Sequence, residues 1–271
     1  MLIDTHCHLD AAEFNSDRDI VALEAKDAGV EKIVMPAVER DNFQTVIDLA
    51  HQYSHCYMAL GIHPMYVDKA HPSDLTSLKQ LVAEQLAHKD PKIVAIGEIG
   101  LDFFVTQQNR EIQEYFFIEQ LKIAQTFELP VVLHVRRAID DVLKQLRRHP
   151  VLGGIAHAFN GSPQQAEKLI ELGFKLGFGG AMTYTRALKI RELAQNLPLE
   201  AIVLETDAPD IAPEWVGSKG RNSPTELIKI AQVFADLRGI EVSQIIEITS
   251  KNSLEILPKL ASLCTPLKVL H

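Results

Sequence analysis

Short apolar runs alternate with longer stretches of helical periodicity along almost the whole of this chain. The runs fall at residues 2–6, 32–36, 56–60, 93–96, 129–133, 153–156, 174–177 and 202–205. Residues 17–28, 42–52, 74–88, 109–127, 139–148, 164–172 and 189–197 read as helices between them, and 225–238 and 243–257 follow the last run. Strands that alternate with helices predict a parallel sheet. Runs this short and this rich in Val, Ile and Leu suit strands buried on both faces. About eight such units in 271 residues match the size of a (β/α)8 TIM barrel, an α/β fold. An open doubly wound sheet would carry a glycine-rich phosphate turn after its first strand. That position holds His6-Cys7-His8 instead, which disfavours it. Residues 1–271 are therefore expected to form a single domain, with 261–271 as a tail.

Local signals set some boundaries. Ile20, Leu23 and Ala28 mark the expected inward face of the first helix, and Gly29 is a stop signal. Ser162-Pro163 starts the sixth helix, with serine as the N-cap and proline at the first helical position.

In such a barrel the active site lies at the carboxyl ends of the strands. There the chain places His6 and His8 after the first run, Glu98 after the fourth, His134 after the fifth, His157 after the sixth and Asp207 after the eighth. Alternate side chains on a strand share a face, so His6 and His8 point together and Cys7 points into the core. Four imidazoles and two carboxylates exceed what one tetrahedral ion needs. They suit two divalent cations sharing a carboxylate. Glu98 is the natural bridge, with His6, His8 and Asp207 completing one site and His134 and His157 the other. Asp207 can also take a proton from water. The mixed donor set suits zinc, manganese or nickel, and magnesium less comfortably.

Other residues near the strand ends have two readings each. His63, in Gly-Ile-His-Pro after the third run, is either a phosphate contact or a loop histidine without a role. Arg136 suits a non-bridging phosphate oxygen or pairing with a carboxylate. Asp102 can orient a ligand imidazole or cap a loop. Glu205 reads as a strand-end residue making a hydrogen bond. His51, His55, His71, His88, His149 and His271 read as surface.

Composition excludes several classes. No run approaches the ~20 apolar residues of a membrane span, and no basic, apolar leader precedes His6. Cys7, Cys56 and Cys264 are scattered, as in a reducing compartment, so a cytoplasmic location is expected. A net charge of -9 argues against wrapping of a duplex. It allows local action on a nucleic-acid end, because bound cations dominate the field of a small pocket.

The blocks DTHCHLD, GIHP, GEIGLD, LHVR, HAFNG and LETDAPDIAP resemble the signatures of the TatD family of metal-dependent deoxyribonucleases, most closely its YjjV-like subgroup. The resemblance runs from about residue 2 to about residue 257. It implies a TIM barrel of the metal-dependent hydrolase type. It also implies hydrolysis of DNA phosphodiesters, typically 3′-5′ exonuclease action on single strands, through a water activated by a dinuclear metal site. The ligand set it implies is His6, His8, Glu98, His134, His157 and Asp207, with His63, Arg136 and Arg221 as substrate contacts. His157 is followed by Ala-Phe-Asn-Gly where many members carry Ser before the Gly, and the loop 215–221 departs from the commoner pattern. No obligate protein partner and no membrane are expected. Two competing readings keep the metal: hydrolysis of a small ester, lactone or aminoacyl bond, and a non-catalytic metal-binding scaffold.

Overall fold

A computed structural model describes residues 1–104 and 109–262. Eight strands form one parallel sheet in sequence order: β1 (Leu2–Asp4), β2 (Val30–Pro36), β3 (Cys56–Leu60), β4 (Ile93–Asp102), β5 (Val131–Arg136), β6 (Gly154–Ala156), β7 (Phe174–Phe178) and β8 (Ile202–Leu204). The sheet curls until its ends meet. Thr5 N–H donates to Leu204 O at 3.1 Å and Asp207 N–H donates to His6 O at 2.8 Å. The helices α1 (Arg18–Asp27), α2 (Phe43–Gln52), α3 (Pro72–Leu86), α4 (Arg110–Phe127), α5 (Ile139–Arg148), α6 (Pro163–Glu171), α7 (Leu188–Asn196) and α8 (Leu227–Arg238) follow the strands in turn. Helices α9 (Val242–Ile256) and α10 (Pro258–Ser262) come last. The TIM barrel read from the alternation is therefore the fold. No helix among the described residues is long and apolar enough to cross a membrane.

Strand alternation divides the core. Ile3, Val34, Val94, Val132, Ile155 and Val203 pack together with Ile256, Leu257 and Leu260 of the last two helices. Neighbouring strand residues such as Leu2, Ile33, Ile93, Val131 and Ile202 join the larger cluster formed with the surrounding helices. At ~25 cal/mol per Å² of apolar area, full burial of each such side chain contributes roughly 1.5–3 kcal/mol.

The capping signal at α6 is met: Ser162 Oγ accepts from Gln165 N–H at 3.2 Å, and Pro163 is the first helical residue. Gly29 ends the first helical segment at φ +90°, a conformation that costs glycine little. Four expectations are corrected. In α1 the buried residues are Val21, Ala22 and Ala25, whereas Ile20 and Leu23 are 58% and 59% exposed. That helix carries apolar residues around most of its circumference, so periodicity alone selects the wrong face. β4 and β5 run past their expected ends, to Asp102 and Arg136, because their rims pair as far as Asp102 opposite Arg136. β1 instead stops at Asp4, two residues before His6. His55 is not a surface residue: it is buried at the start of β3, where burial and then Lys26 lower its pKa. His271 and Cys264 lie outside the described residues; Cys7 and Cys56 are buried free thiols.

Candidate metal centre

His6, His8, His157 and Asp207 stand beyond the carboxyl ends of their strands, Glu98 and His134 lie within the carboxyl-terminal halves of β4 and β5, and the six converge. Glu98, 2% exposed, is at the middle. Its Oε2 lies 3.2 Å from His6 Nε2 and 3.5 Å from His8 Nε2. Its Oε1 lies 2.9 Å from His134 Nδ1, 3.1 Å from His157 Nε2 and 3.4 Å from His63 Nε2. The two oxygens thus address two separate groups of imidazoles. Asp207 Oδ1 joins the first group, 3.4 Å from His6 Nε2 and 3.7 Å from His8 Nε2. The expected division of donors is only partly matched in space. The His157 ring stacks on that of His6, with centroids 3.9 Å apart, so His157 borders both groups.

The backbone fixes this arrangement. His8 N–H donates to Ala208 O at 2.7 Å, tying the loop after β1 to the loop after β8. Asp207 itself has φ +58°, a left-handed conformation that aspartate tolerates better than most residues. Gly177 has no side chain for a reason: a Cβ there would lie 2.1 Å from Glu205 Oε2.

Neighbouring carboxylates and amides set which imidazole nitrogens are free. His134 Nε2 is 3.0 Å from Asp102 Oδ2, which holds the ring from its far side, while Nδ1, 2.9 Å from Glu98 Oε1, is the nitrogen turned to the centre for a cation. His157 Nδ1 is 3.5 Å from Glu205 Oε1, which leaves Nε2 turned inward. His134 and Asp102 make the carboxylate–histidine arrangement of metal sites, and Glu205 stands close to His157 without a hydrogen bond to it. Asp102 meets both of its readings, with Oδ2 on His134 and Oδ1 accepting from Phe104 N–H at 2.8 Å to cap the loop. Glu205 makes the expected hydrogen bond, accepting from Ala158 N–H at 2.5 Å. His63 is different. Its Nδ1 accepts from Met65 N–H at 3.1 Å, so its Nε2 carries the proton and points it at the centre as a donor. Burial lowers its pKa despite Glu98, keeping the ring neutral.

Charge is unevenly held. Burial opposes ionisation of Glu98, but the surrounding imidazoles of His63, His157 and His6 hold its pKa well below the usual range. Burial and the neighbouring His157 hold His6 well below its ordinary value. Burial also opposes a charge on His8, yet the Glu98 hydrogen bond and the Asp207 charge carry it up to about 9. Asp207 is pushed up to about 6, chiefly by burial. His6 Nε2 and His8 Nε2 are 3.1 Å apart, and that short gap accommodates one proton at most. Nitrogen lone pairs and carboxylate oxygens aimed at shared points, with carboxylates steadying the far nitrogens, fit divalent cations. Three donor groups meet this test: His6, His8 and Asp207; His6, Glu98 and His157; and Glu98 and His134 with His63. The His63 tautomer argues for the first two and for the Glu98–His134 pair.

The centre opens into a cavity of about 860 Å³ that also meets His63 and Arg136. Arg136 is exposed, its guanidinium 3.7 Å from the centre of the Phe104 ring. Arg221 is placed elsewhere. It makes two hydrogen bonds to the Asp17 carboxylate, at 2.8 and 2.6 Å, and one to Glu13 O at 2.8 Å, and it does not line this cavity. Sequence reading missed Asp4. This fully buried carboxylate accepts from Thr206 N–H and shares a 2.6 Å hydrogen bond with the Thr206 hydroxyl. An aspartate two residues before His6 was the available signal. It also missed Phe104 and Arg137, of which the aromatic pair following Asp102 was a sign.

Comparison with known proteins identifies the family. The family model described as TatD related DNase matches residues 3–258. The chain is 41% identical over 253 residues to the uncharacterized metal-dependent hydrolase YjjV of Escherichia coli K12, covering 93% of this chain and 95% of that one. It is 35% identical over 272 residues to the human deoxyribonuclease TATDN3, covering 97% and 96% respectively. The crystal structure of YjjV from E. coli K12, a TatD homologue, superposes with a TM-score of 0.89 at 39% identity, covering 95% of this chain and 98% of that one. With a family model spanning nearly its whole length and a barrel that matches a TatD homologue, the chain belongs to the TatD-related DNase family.

Proposed function

We propose that this protein is a metal-dependent hydrolase of DNA phosphodiesters that trims single strands from the 3′ end. The observation that carries the reading is Glu98, whose two oxygens each face their own set of imidazoles at one barrel rim. His6, His8, Asp207 and Glu98 Oε2 would hold one divalent cation, and His134, His157 and Glu98 Oε1 a second. Bound there, such ions would acidify a water and offset charge on the phosphate in the transition state. The names of relatives support a DNA substrate, since human TATDN3 is called a deoxyribonuclease.

The chain's own groups supply the rest. Asp207 sits at the cavity wall with Oδ1 3.4 Å from His6 Nε2 and 3.7 Å from His8 Nε2, a position that suits it to accept the proton of the attacking water. The protonated Nε2 of neutral His63 donates to a phosphate oxygen. Arg136 lies at the same cavity, and its guanidinium, in no ion pair with a described residue, would meet a second oxygen. Arg221, engaged by Asp17, steadies the loop before α8 and reaches substrate only if that pair opens.

The test is digestion of a single-stranded oligonucleotide labelled at either end, after chelation and add-back of zinc, manganese, nickel or magnesium singly. Metal-dependent loss of the 3′ label ahead of the 5′ label is expected. A metal-loaded sample that leaves the oligonucleotide intact but hydrolyses a panel of small esters and lactones would overturn the reading in favour of those substrates.

A further inference from the structure

A second cavity, of about 550 Å³, adjoins the first. The two share Val135, Arg136, His157 and Asn160, so the second opens beside the metal centre on the β5–β6 side. Its volume is that of a small-molecule site, roughly 300–1,000 Å³. It is also lined by Phe104 and Arg137, and by Asp140 and Asp141 at the start of α5, of which Asp140 accepts from Gln165 Nε2 at 3.0 Å. The Arg136 and Arg137 guanidiniums lie 3.7 and 4.6 Å from the centre of the Phe104 ring. All three side chains are exposed, so the stack presents flat, cationic surface to solvent.

This stack is rigidly related to the centre. Asp102 accepts from Phe104 N–H at 2.8 Å through Oδ1 and binds His134 through Oδ2. Phe103 N–H donates to Arg136 O at 2.8 Å. One carboxylate therefore sets both a ligand imidazole and the aromatic ring beside it.

The mouth of the barrel is electrically polarised. Asp10, Glu13, Glu39 and Asp210 line the main cavity from the loops after β1, β2 and β8. Arg136 and Arg137 follow β5, on the other side of an eight-strand ring. A polyanion with one phosphate at the centre meets four carboxylates on the first side, whereas on the second the arginines Arg136 and Arg137 offset Asp140 and Asp141 and are the cations within its reach. Nucleobases stack on aromatic rings and on guanidinium planes, and their phosphates pair with the same arginines.

We propose that the second cavity is a subsite for the nucleotide next to the scissile phosphate on a single-stranded polynucleotide, with Phe104, Arg136 and Arg137 as its stacking and phosphate-binding surface. The proposal rests on the nuclease reading and adds a direction to it. The continuing strand leaves over the β5 loop, and the acidic side takes the end that carries no further phosphate.

The test measures binding to metal-loaded protein of a fluorescein-labelled pentathymidylate with phosphorothioate linkages. Competition by thymidine monophosphate gives the affinity for a single nucleotide. The wild type should prefer the pentamer. Phe104→Ala and Arg137→Gln should each reduce that preference about tenfold. Phe104→Trp should restore it, and Arg137→Gln should flatten the dependence of log affinity on log salt by about 0.7. Both positions are exposed, and circular dichroism checks that the variants fold. A preference untouched by Phe104→Ala and Arg137→Gln in folded protein overturns the subsite. Failure of wild-type protein to cut the end-labelled oligonucleotide is a separate result and overturns the nuclease reading instead.

Discussion

Asp207 shows how a single side chain can be tested without disturbing its surroundings. Its backbone is left-handed at φ +58°, a region that asparagine also occupies readily. Asp207→Asn should therefore keep the fold and its thermal midpoint while losing the proton acceptor together with one anionic metal donor. Hydrolysis of an oligonucleotide should fall by at least ~100-fold. Near-parental turnover in that variant would remove Asp207 from the mechanism. Asp102 acts one step further out. Burial works against its charge, but His134 and the Phe104 N–H hold its pKa below the ordinary carboxylate value. In Asp102→Asn the amide oxygen can still accept from Phe104, while the charge opposite His134 Nε2 is gone. Metal affinity should drop roughly 10–100-fold, read by titration against a competing chelator. Unchanged affinity would mean that Asp102 only braces the loop.

Helix α1 is the element whose orientation sequence periodicity misjudged, and the correction can be checked. Val21 is 3% exposed against the strands, whereas Ile20 and Leu23 face outward. Truncating Val21→Ala should cost about 2 kcal/mol in urea unfolding, from lost burial and the space left behind. Ile20→Lys and Leu23→Glu should each stay within about 0.5 kcal/mol of the parent. The reverse ranking would restore the face expected from sequence. The misreading has a local cause. Four of the five residues 21–25 are apolar, so a helical stripe can be drawn at more than one angle, and only docking against the barrel selects one. β4 and β5 were misjudged in length for a related reason. Their outer stretches, Glu98 to Asp102 and His134 to Arg136, interleave polar with apolar residues, and pairing of the two strands carries them out to the rim.

At the scale of the molecule, barrel closure places a buried carboxylate between first strand and last. Asp4 bonds to Thr206, 202 residues away, and burial raises its pKa to about 7. The folded state thus keeps this proton up to about pH 7, while the unfolded chain releases it near 3.8. As pH rises between those values the unfolded state gains, so this group's contribution to stability is largest in acid and falls until about pH 7. At ~1.4 kcal/mol per pH unit, the loss is about 4 kcal/mol. Asp4→Asn cannot titrate. In metal-free protein the stability difference between wild type and Asp4→Asn should therefore shift by that amount, toward the variant, from pH 4 to pH 8. Parallel urea midpoints across that range would show that Asp4 is already ionised when folded.

The alternation of strand and helix determined the barrel by itself. It also determined that His6, His8, Glu98, His134, His157 and Asp207 stand at one rim, because a strand's direction fixes which end its trailing residues occupy. Tertiary structure decided what no linear spacing encodes: which nitrogen of each ring is free, and which oxygen of Glu98 each ring meets. It decided as well that His63 donates a proton, and that Arg221 is held by Asp17 across 204 residues of chain. Those are properties of groups brought within hydrogen-bond distance by the closing of the sheet, and such distances exist only after the chain has folded.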